Sequence, residues 1–318
     1  MRRGSPTQVL TLPIPRGDAP LTPHHAGVSI TARYRTNLSR KTIMSTSLLT
    51  TIATPPSGRA TALLLDHHEY AQSVFLRNRP APWDDPASYA RYFNQAQGLL
   101  KPDLAIFDLS HFYTHHLELN PLLRDAMSQK KRTGYALRTM LADKALTDNA
   151  IDLAQTLTAM ASGQVVLQIP SPMQWLQATH HYSGSSEYSG SSELDSLDAD
   201  DAENSSMYVA DWLRGFAALP FSAILLDDRP INHPAPANRV GFDAYTPIAN
   251  VTAHYRLIVG MRDSHGVTLH QQTIRGSVLP ESYWLGEETM FPPGDFHITQ
   301  IPAAAVPEVV LNQLAQLT

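Results

Sequence analysis

Two adjacent histidines, His67 and His68, follow an apolar run at residues 60–65 and stand next to Asp66. A histidine at the end of a strand titrates near neutral pH, so it can act as a general acid or base. Neighbouring strand residues point to opposite faces, so only one of the two imidazoles can face a common site. We therefore predict His68, with His67 as the alternative, as the acid/base, and Asp227 as the carboxylate that orients it.

A second group of chemically capable residues follows other apolar runs. Asp227-Asp228-Arg229 ends the run at 222–226, and Arg262 ends the run at 255–261. A guanidinium binds carboxylates and phosphates through two parallel hydrogen bonds, so Arg229 and Arg262 are predicted to hold an anionic part of a substrate. Alternation along the strand sends Asp227 and Arg229 to one side and Asp228 to the other. The alternative is an Asp227–Arg229 ion pair with a structural role only.

Two more candidate substrate contacts, Gln168 and Ser171, stand at the end of the run at 164–169, where Ser171 lies between two prolines. A third cluster offers metal ligands instead. His111 and His115 have the i, i+4 spacing that places two imidazoles on one helix face. With His67 or Asp227 added, they would form a His/carboxylate site for zinc, iron or manganese. The predicted cofactor is therefore either none or a single divalent metal.

Short apolar runs that alternate with helical patterns must position these residues. Strands are predicted at 60–65, 103–109, 164–169 and 222–226, with weaker candidates at 255–261 and 282–285. Helices are predicted at 86–100, 121–140, 147–161, 207–218 and 306–317. Strands that are apolar throughout and separated by helices are typical of a parallel sheet covered on both faces. No glycine-rich phosphate-binding motif follows any strand, so we predict a (β/α)8 TIM-type barrel, in which functional residues lie at the carboxyl ends of the strands.

Two segments stand outside this pattern. Residues 1–43 carry seven basic side chains and one acid and show no sustained apolar period, so they are predicted to be a disordered extension. Residues 182–205 contain the hexapeptide Tyr-Ser-Gly-Ser-Ser-Glu twice, followed by an acidic run, and are predicted to be a flexible insertion. Without both segments about 250 residues remain, the usual length of one barrel. Residues 44–318 are therefore predicted to form a single domain.

Composition narrows the class of protein further. The chain has no cysteine, which excludes disulfides, thiolate metal ligands and a cysteine nucleophile. This fits a reducing, cytoplasmic compartment. The net charge of −5 gives no support for a nucleic-acid partner. Without an apolar run of membrane-spanning length, we expect no membrane partner either, only a small-molecule substrate.

One family resemblance rests on residues 153–175 and 211–227. A helix there leads into Gly163-Gln-Val-Val-Leu-Gln-Ile-Pro-Ser-Pro172, and Asp211-Trp-Leu-Arg214 precedes Ala223-Ile-Leu-Leu-Asp227. This arrangement resembles the third- and fourth-strand region of cobalamin-independent methionine synthase and uroporphyrinogen decarboxylase-like barrels. The resemblance implies a TIM-type barrel with lyase or transferase activity. Those methyltransferases hold zinc through His and Cys, and this chain lacks Cys and has Ser171 at the position of an acidic residue, so the resemblance implies the barrel more than thiol methylation.

Three functional hypotheses follow. The first is a barrel enzyme that acts on a small polar or anionic metabolite by acid/base chemistry, such as decarboxylation, lyase or group-transfer reactions. The second is a metal-dependent hydrolase that uses His67, His111, His115 and Asp227. The third is a non-catalytic barrel relative, which the absence of a zinc–thiolate site favours.

Overall fold

The computed structural model describes residues 48–184, 197–230 and 240–317. The predicted extension at 1–43 lies outside these ranges, as does most of the hexapeptide repeat. His233, four positions after Arg229 in the sequence, also lies outside them.

The strands of the described residues close into a barrel in which each strand pairs with its neighbour in sequence and β8 pairs with β1. Their bounds are β1 Ala62–Asp66, β2 Leu104–Asp108, β3 Gln164–Pro170, β4 Ala223–Asp227, β5 Ile258–Arg262, β6 Gly266–Leu269, β7 Arg275–Val278 and β8 Phe296–Gln300. Strands β1, β2 and β4 are buried along their whole length, as expected for strands covered on both faces.

The prediction of a (β/α)8 barrel is wrong, because β6 runs in the opposite direction. It pairs antiparallel with β5 and with β7, whereas the other neighbouring pairs are parallel. Only residues 263–265 separate β5 from β6, and only 270–274 separate β6 from β7. A parallel connection needs a crossover of about a dozen residues, so links this short force the strand to reverse. The architecture is a mixed barrel that has no helices between β5 and β7.

Two local features position the reversed strand β6: a side chain in the link from β5 and a glycine that faces β7. The Asp263 carboxylate accepts hydrogen bonds from the backbone N–H groups of His265 and Gly266, at 2.7 and 2.9 Å. A Cβ atom at Gly266 would lie 2.2 Å from the carbonyl oxygen of Gly276 on β7. Only glycine therefore allows the two backbones to approach this closely.

Helices surround the parallel part of the barrel. Their bounds are α1 His68–Leu76, α2 Pro86–Leu100, α3 Ser110–Leu119, α4 Pro121–Met127, α5 Tyr135–Ala142, α6 Lys144–Met160, α7 Pro172–His180, α8 Ala199–Ala217, α9 Thr246–His254, α10 Glu281–Trp284 and α11 Pro307–Gln316. The predicted helix at 86–100 is confirmed, and Asp85 caps it by accepting the N–H of Ser88. The predicted helix at 121–140 is instead the pair α4 and α5, and the predicted strand at 282–285 lies mostly in α10.

The predicted flexible insertion at 182–205 ends earlier than expected. Helix α8 begins at Ala199, and Asp198 and Asp201 form a reciprocal capping box at its start. Ala202 and Ser205 are buried in the helix layer. Acidic side chains are favourable at a helix N-terminus, because the exposed N–H groups there carry partial positive charge. The acidic run predicted to form a loop therefore starts a helix.

The inward side chains of the barrel are apolar except in the layer at the carboxyl ends of the strands. Inward side chains from β1–β4, β6 and β8 form one cluster, which helical residues 48–53 close at the amino end with Leu48 and Ile52. Because alternate strand residues point inward, the same periodicity selects the inward side chain at the carboxyl end of each strand. That end carries the candidate site.

Candidate functional site

Polar side chains that point into the barrel form a ring at the carboxyl ends of the strands. On β1 and β2 the inward residues are apolar until the last position, which is Asp66 and Asp108 respectively. The same alternation on the other strands completes the ring. Its members are Asp66, Asp108, Gln168, Asp227, Arg262 and Gln300.

The three aspartates of the ring share one local geometry. In each, Oδ1 accepts the backbone N–H two residues further on, at 3.1 Å for Asp66, 2.7 Å for Asp108 and 3.1 Å for Asp227. This side chain-to-backbone turn ends the strand and fixes the carboxylate. Each Oδ2 is left to interact with the site.

Gln168 connects the ring across the barrel. Its amide nitrogen donates to Oδ2 of Asp108 at 2.7 Å and to Oδ2 of Asp227 at 3.2 Å. Its carbonyl oxygen accepts from Nη1 of Arg262 at 3.0 Å. Gln168 is fully buried, so these bonds lie in a medium where they are strong and costly to lose. The predicted substrate contact Gln168 is thus a bridge within the protein.

Arg229 lies against Asp227, as the sequence predicted for two residues on one side of the strand end. Its Nε and Nη2 donate to the carboxylate, with the shortest contact 2.7 Å, and Nη1 lies 3.4 Å from Oε1 of Gln300. Burial opposes the charge of Arg229, but the hydrogen bonds and the charge of Asp227 outweigh it and raise its pKa. Two of the guanidinium's donors are therefore already occupied. A substrate-binding role for Arg229 stays a prediction that requires this pair to rearrange or Nη1 to act.

Arg262 lies deeper in the barrel and is 2% exposed. Burial and the nearby charge of Arg229 lower its pKa, which Asp227, Asp66 and Asp108 partly offset. Its Nε has no hydrogen-bond partner among the described residues. The predicted anion clamp by both arginines is not assembled in this geometry, because Arg262 does not line the cavity that Arg229 faces.

Asp66 differs from the other two aspartates. Its Oδ1 is fixed like theirs, but its Oδ2 accepts no hydrogen bond from any residue that the structure describes, whereas Gln168 and Arg229 engage the others. The residue is 2% exposed and lines the cavity at the barrel mouth. It is the carboxylate of the ring that is available to a ligand.

The cavity has a volume of about 650 Å³, within the range of small-molecule sites. Asp66, Asp108, Asp227, Arg229 and Gln300 contribute its polar inner end. Helices α1, α3, α5 and α7 and the residues after α7 contribute the walls, with both aromatic and acidic side chains. These wall residues include Glu69, His111, Tyr113, Glu118, Met140, Trp175, His181 and Tyr182.

The predicted catalytic histidines lie beside this cavity rather than in it. His67 is 1% exposed, packs on Phe93 with ring centroids 4.7 Å apart, and neither of its nitrogens has a partner among the described residues. Burial lowers its pKa to about 4. His68 lies between Trp83 and His111, and burial together with the charges of His111 and His67 holds its pKa well below the usual value. Asp227 contacts Arg229 and Gln168 instead of orienting either imidazole.

The predicted metal ligands do not converge. His111 stacks on His68 with centroids 4.2 Å apart, whereas the ring contact of His115 is with His116. In the described ranges, no three His, Asp or Glu side chains form a group able to hold a metal. His111 lines the cavity and His115 does not.

Ser171, predicted to contact substrate, is a structural cap. It is fully buried, its Oγ donates to Asp228 at 2.5 Å, and it accepts the N–H of Gln174 at the start of α7. Asp228 thus points away from Asp227, as alternation predicted. The prediction also omitted Asp66, Asp108 and Gln300 from the site, although the two aspartates end predicted strands. No strand pattern marked β8, which carries Gln300.

The chain gives no match in comparisons with profiles of known protein families, with curated protein sequences or with solved structures. The class that the fold defines is a mixed α/β barrel with a polar ring at its carboxyl end. In the part of the chain that the structure describes, no helix has the length and apolar character needed to cross a membrane.

Proposed function

We propose that this protein is an enzyme that performs acid/base chemistry on a small polar metabolite in the barrel-mouth cavity. The observation that carries the proposal is the Oδ2 of Asp66, a carboxylate oxygen without a hydrogen-bond partner among the described residues, on a buried side chain that lines the cavity. A general base needs such an oxygen within reach of a substrate proton.

The neighbouring groups suit this role. The backbone N–H of His68 holds Oδ1 of Asp66, so the carboxylate keeps one orientation. Asp227 and Gln300 hold the guanidinium of Arg229 at the same end of the cavity. When Asp66 removes a proton from the substrate, the Nη1 group of Arg229 can donate a hydrogen bond to the substrate atom on which negative charge develops. Asp66 then returns the proton to the product or to water.

We assign the acid/base role to Asp66 instead of His68, because His68 lies between two rings outside the cavity lining. Lyase and group-transfer reactions that begin with removal of a substrate proton fit such a base. The relationship to uroporphyrinogen decarboxylase and methionine synthase-like barrels stays a prediction.

The proposal can be tested with the full chain and a panel of small amines, polyols, hydroxy acids and amino acids. Thermal stabilisation identifies ligands, and NMR of the incubated mixture detects conversion. Asp66→Asn keeps the oxygen that accepts the N–H of His68 but removes the base. We expect this variant to lose about 100-fold or more in turnover at saturating ligand, beyond any weakening of ligand binding.

The control is Asp152→Asn, which removes one carboxylate from the exposed face of α6. It should leave turnover unchanged. Binding without conversion by the wild-type protein, or full turnover by Asp66→Asn, would overturn the proposal, and the first outcome would favour the non-catalytic relative.

A further inference from the structure

We infer that the ligand of the barrel-mouth cavity carries a positively charged nitrogen, an alkylammonium group that binds at Asp66. This inference rests on the proposed function, because it names the substrate class of the same cavity.

The first support is the balance of charge around the cavity. Among the described residues, the lining contains five carboxylates and one guanidinium, that of Arg229, and Arg262 adds a second guanidinium in the ring beneath the cavity. The carboxylates are Asp66, Glu69, Asp108, Glu118 and Asp227. Like charges in a partly enclosed site repel an anion strongly, and the same field attracts a cation.

The second support is that the carboxylates at the inner end of the cavity differ in whether they already have a partner. Asp227 already binds Arg229 through two guanidinium nitrogens, so this pair offers little net charge to a ligand. Oδ2 of Asp108 accepts from Gln168. Asp66 remains, 2% exposed, with one oxygen that accepts no hydrogen bond from the described residues. A buried carboxylate is stable when a cation that donates hydrogen bonds pairs with it.

The third support is the aromatic wall. Tyr113, Trp175 and Tyr182 line the cavity. The rings of Tyr113 and Trp175 meet edge to face at 5.3 Å, and Trp212 donates to the Tyr113 hydroxyl, so the wall is fixed from behind. Aromatic faces attract ammonium groups and contribute more when water is excluded. Acidic and aromatic groups in one cavity therefore favour the same ligand chemistry.

The test compares four-carbon molecules that differ in charge. Binding of 1,4-diaminobutane, 4-aminobutan-1-ol, butane-1,4-diol and succinate to the full chain is measured by calorimetry and by thermal stabilisation. We expect the two amines to bind at least tenfold more tightly than the diol, and succinate to bind least. The amine affinity should fall as ionic strength rises.

Asp66→Asn should weaken amine binding at least tenfold and leave diol binding unchanged, while Asp152→Asn should change neither. Glu118→Gln, on the exposed rim, provides a second variant if Asp66→Asn fails to fold, and should weaken amine binding several-fold. Equal binding of amine and diol, or tighter binding of succinate, would overturn the inference.

The two proposals fail in different ways. Amine binding that depends on Asp66 without any conversion would support the cation site and overturn the proposed enzyme. Conversion of a neutral or anionic substrate that depends on Asp66 would support the enzyme and overturn the cation site.

Discussion

The imidazole rings of His68 and His111 stack with their centroids 4.2 Å apart and their planes inclined by 19°. Burial, and next to it the charge of the neighbouring His111, lower the pKa of His68 well below its usual value. The indole of Trp83 covers the other face of His68 at 5.3 Å. The stack joins the start of α1 to the start of α3 beside the cavity, which His111 lines.

The first prediction concerns acid sensitivity. Burial lowers the pKa of His67 to about 4, and burial with the charges of His111 and His67 lowers that of His68 well below its usual value. In the unfolded chain both titrate near pH 6.5. Between pH 4 and pH 6.5 the unfolded state binds more protons than the folded state, so the free energy of unfolding decreases as the pH falls through this range. Above pH 6.5 these histidines are neutral in both states, and the free energy of unfolding keeps its full value.

The variant that tests this prediction is His67→Leu, which removes a buried imidazole without hydrogen-bond partners among the described residues. It should be about as stable as the wild type at pH 7.5. Between pH 7 and pH 4, its free energy of unfolding should decrease by on the order of 3 kcal/mol less than that of the wild type. Urea unfolding at several pH values measures the difference. His254→Gln, at an exposed histidine, should keep the wild-type slope, and an unchanged slope in His67→Leu would contradict the prediction.

The second prediction concerns the bridge across the ring. Gln168→Leu removes the amide that joins Asp108 and Asp227 to Arg262 and leaves charged groups buried with fewer partners. We expect a loss of about 3 kcal/mol in the free energy of unfolding. Chemical denaturation measures it, and Gln155→Leu on the exposed face of α6 should lose less than about 0.5 kcal/mol. Equal stability of the two variants would show that the bridge does not hold the ring.

The third prediction compares two ion pairs. Arg229 and Asp227 are 31% and 12% exposed, whereas Arg214 and Asp211 are 64% and 87% exposed. A double-mutant cycle with Arg229→Met and Asp227→Asn should give a coupling of about 1–2 kcal/mol, because less water screens the pair. The cycle with Arg214→Met and Asp211→Asn should give less than about 0.5 kcal/mol. A coupling near zero at Arg229 would mean that Asp227 does not hold the guanidinium in place.

The fourth prediction tests the reversed strand. Gly266→Ala places a Cβ 2.2 Å from the Gly276 carbonyl oxygen and should cost about 3 kcal/mol of stability, since neither backbone can move freely. Gly98→Ala, in α2 with no atom within 4 Å of the new Cβ, should be neutral or stabilising by up to about 1 kcal/mol. Thermal unfolding of both variants measures these changes in stability. A harmless Gly266→Ala would exclude the close β6–β7 pairing.

The amino-acid sequence by itself determined the parallel part of the fold. The runs that became β1, β2 and β4 are apolar along their length and end in an aspartate. The helix at 86–100 has a proline and an aspartate cap at its start. Period and capping act over a few residues, so they are visible without the structure. The placement of Asp227 with Arg229, and of Asp228 opposite, followed from strand alternation alone.

Only the tertiary structure decided the reversal of β6, the presence of β8 and the composition of the site. Strands β6 and β7 have four residues each, too few to show a period, and their direction depends on which strand each one meets. Gln300 joins the site because β8 pairs with β1, and Asp66 rather than His68 faces the cavity because Trp83 and His111 enclose the imidazole. These contacts join residues far apart in the chain, and local patterns carry no information about them.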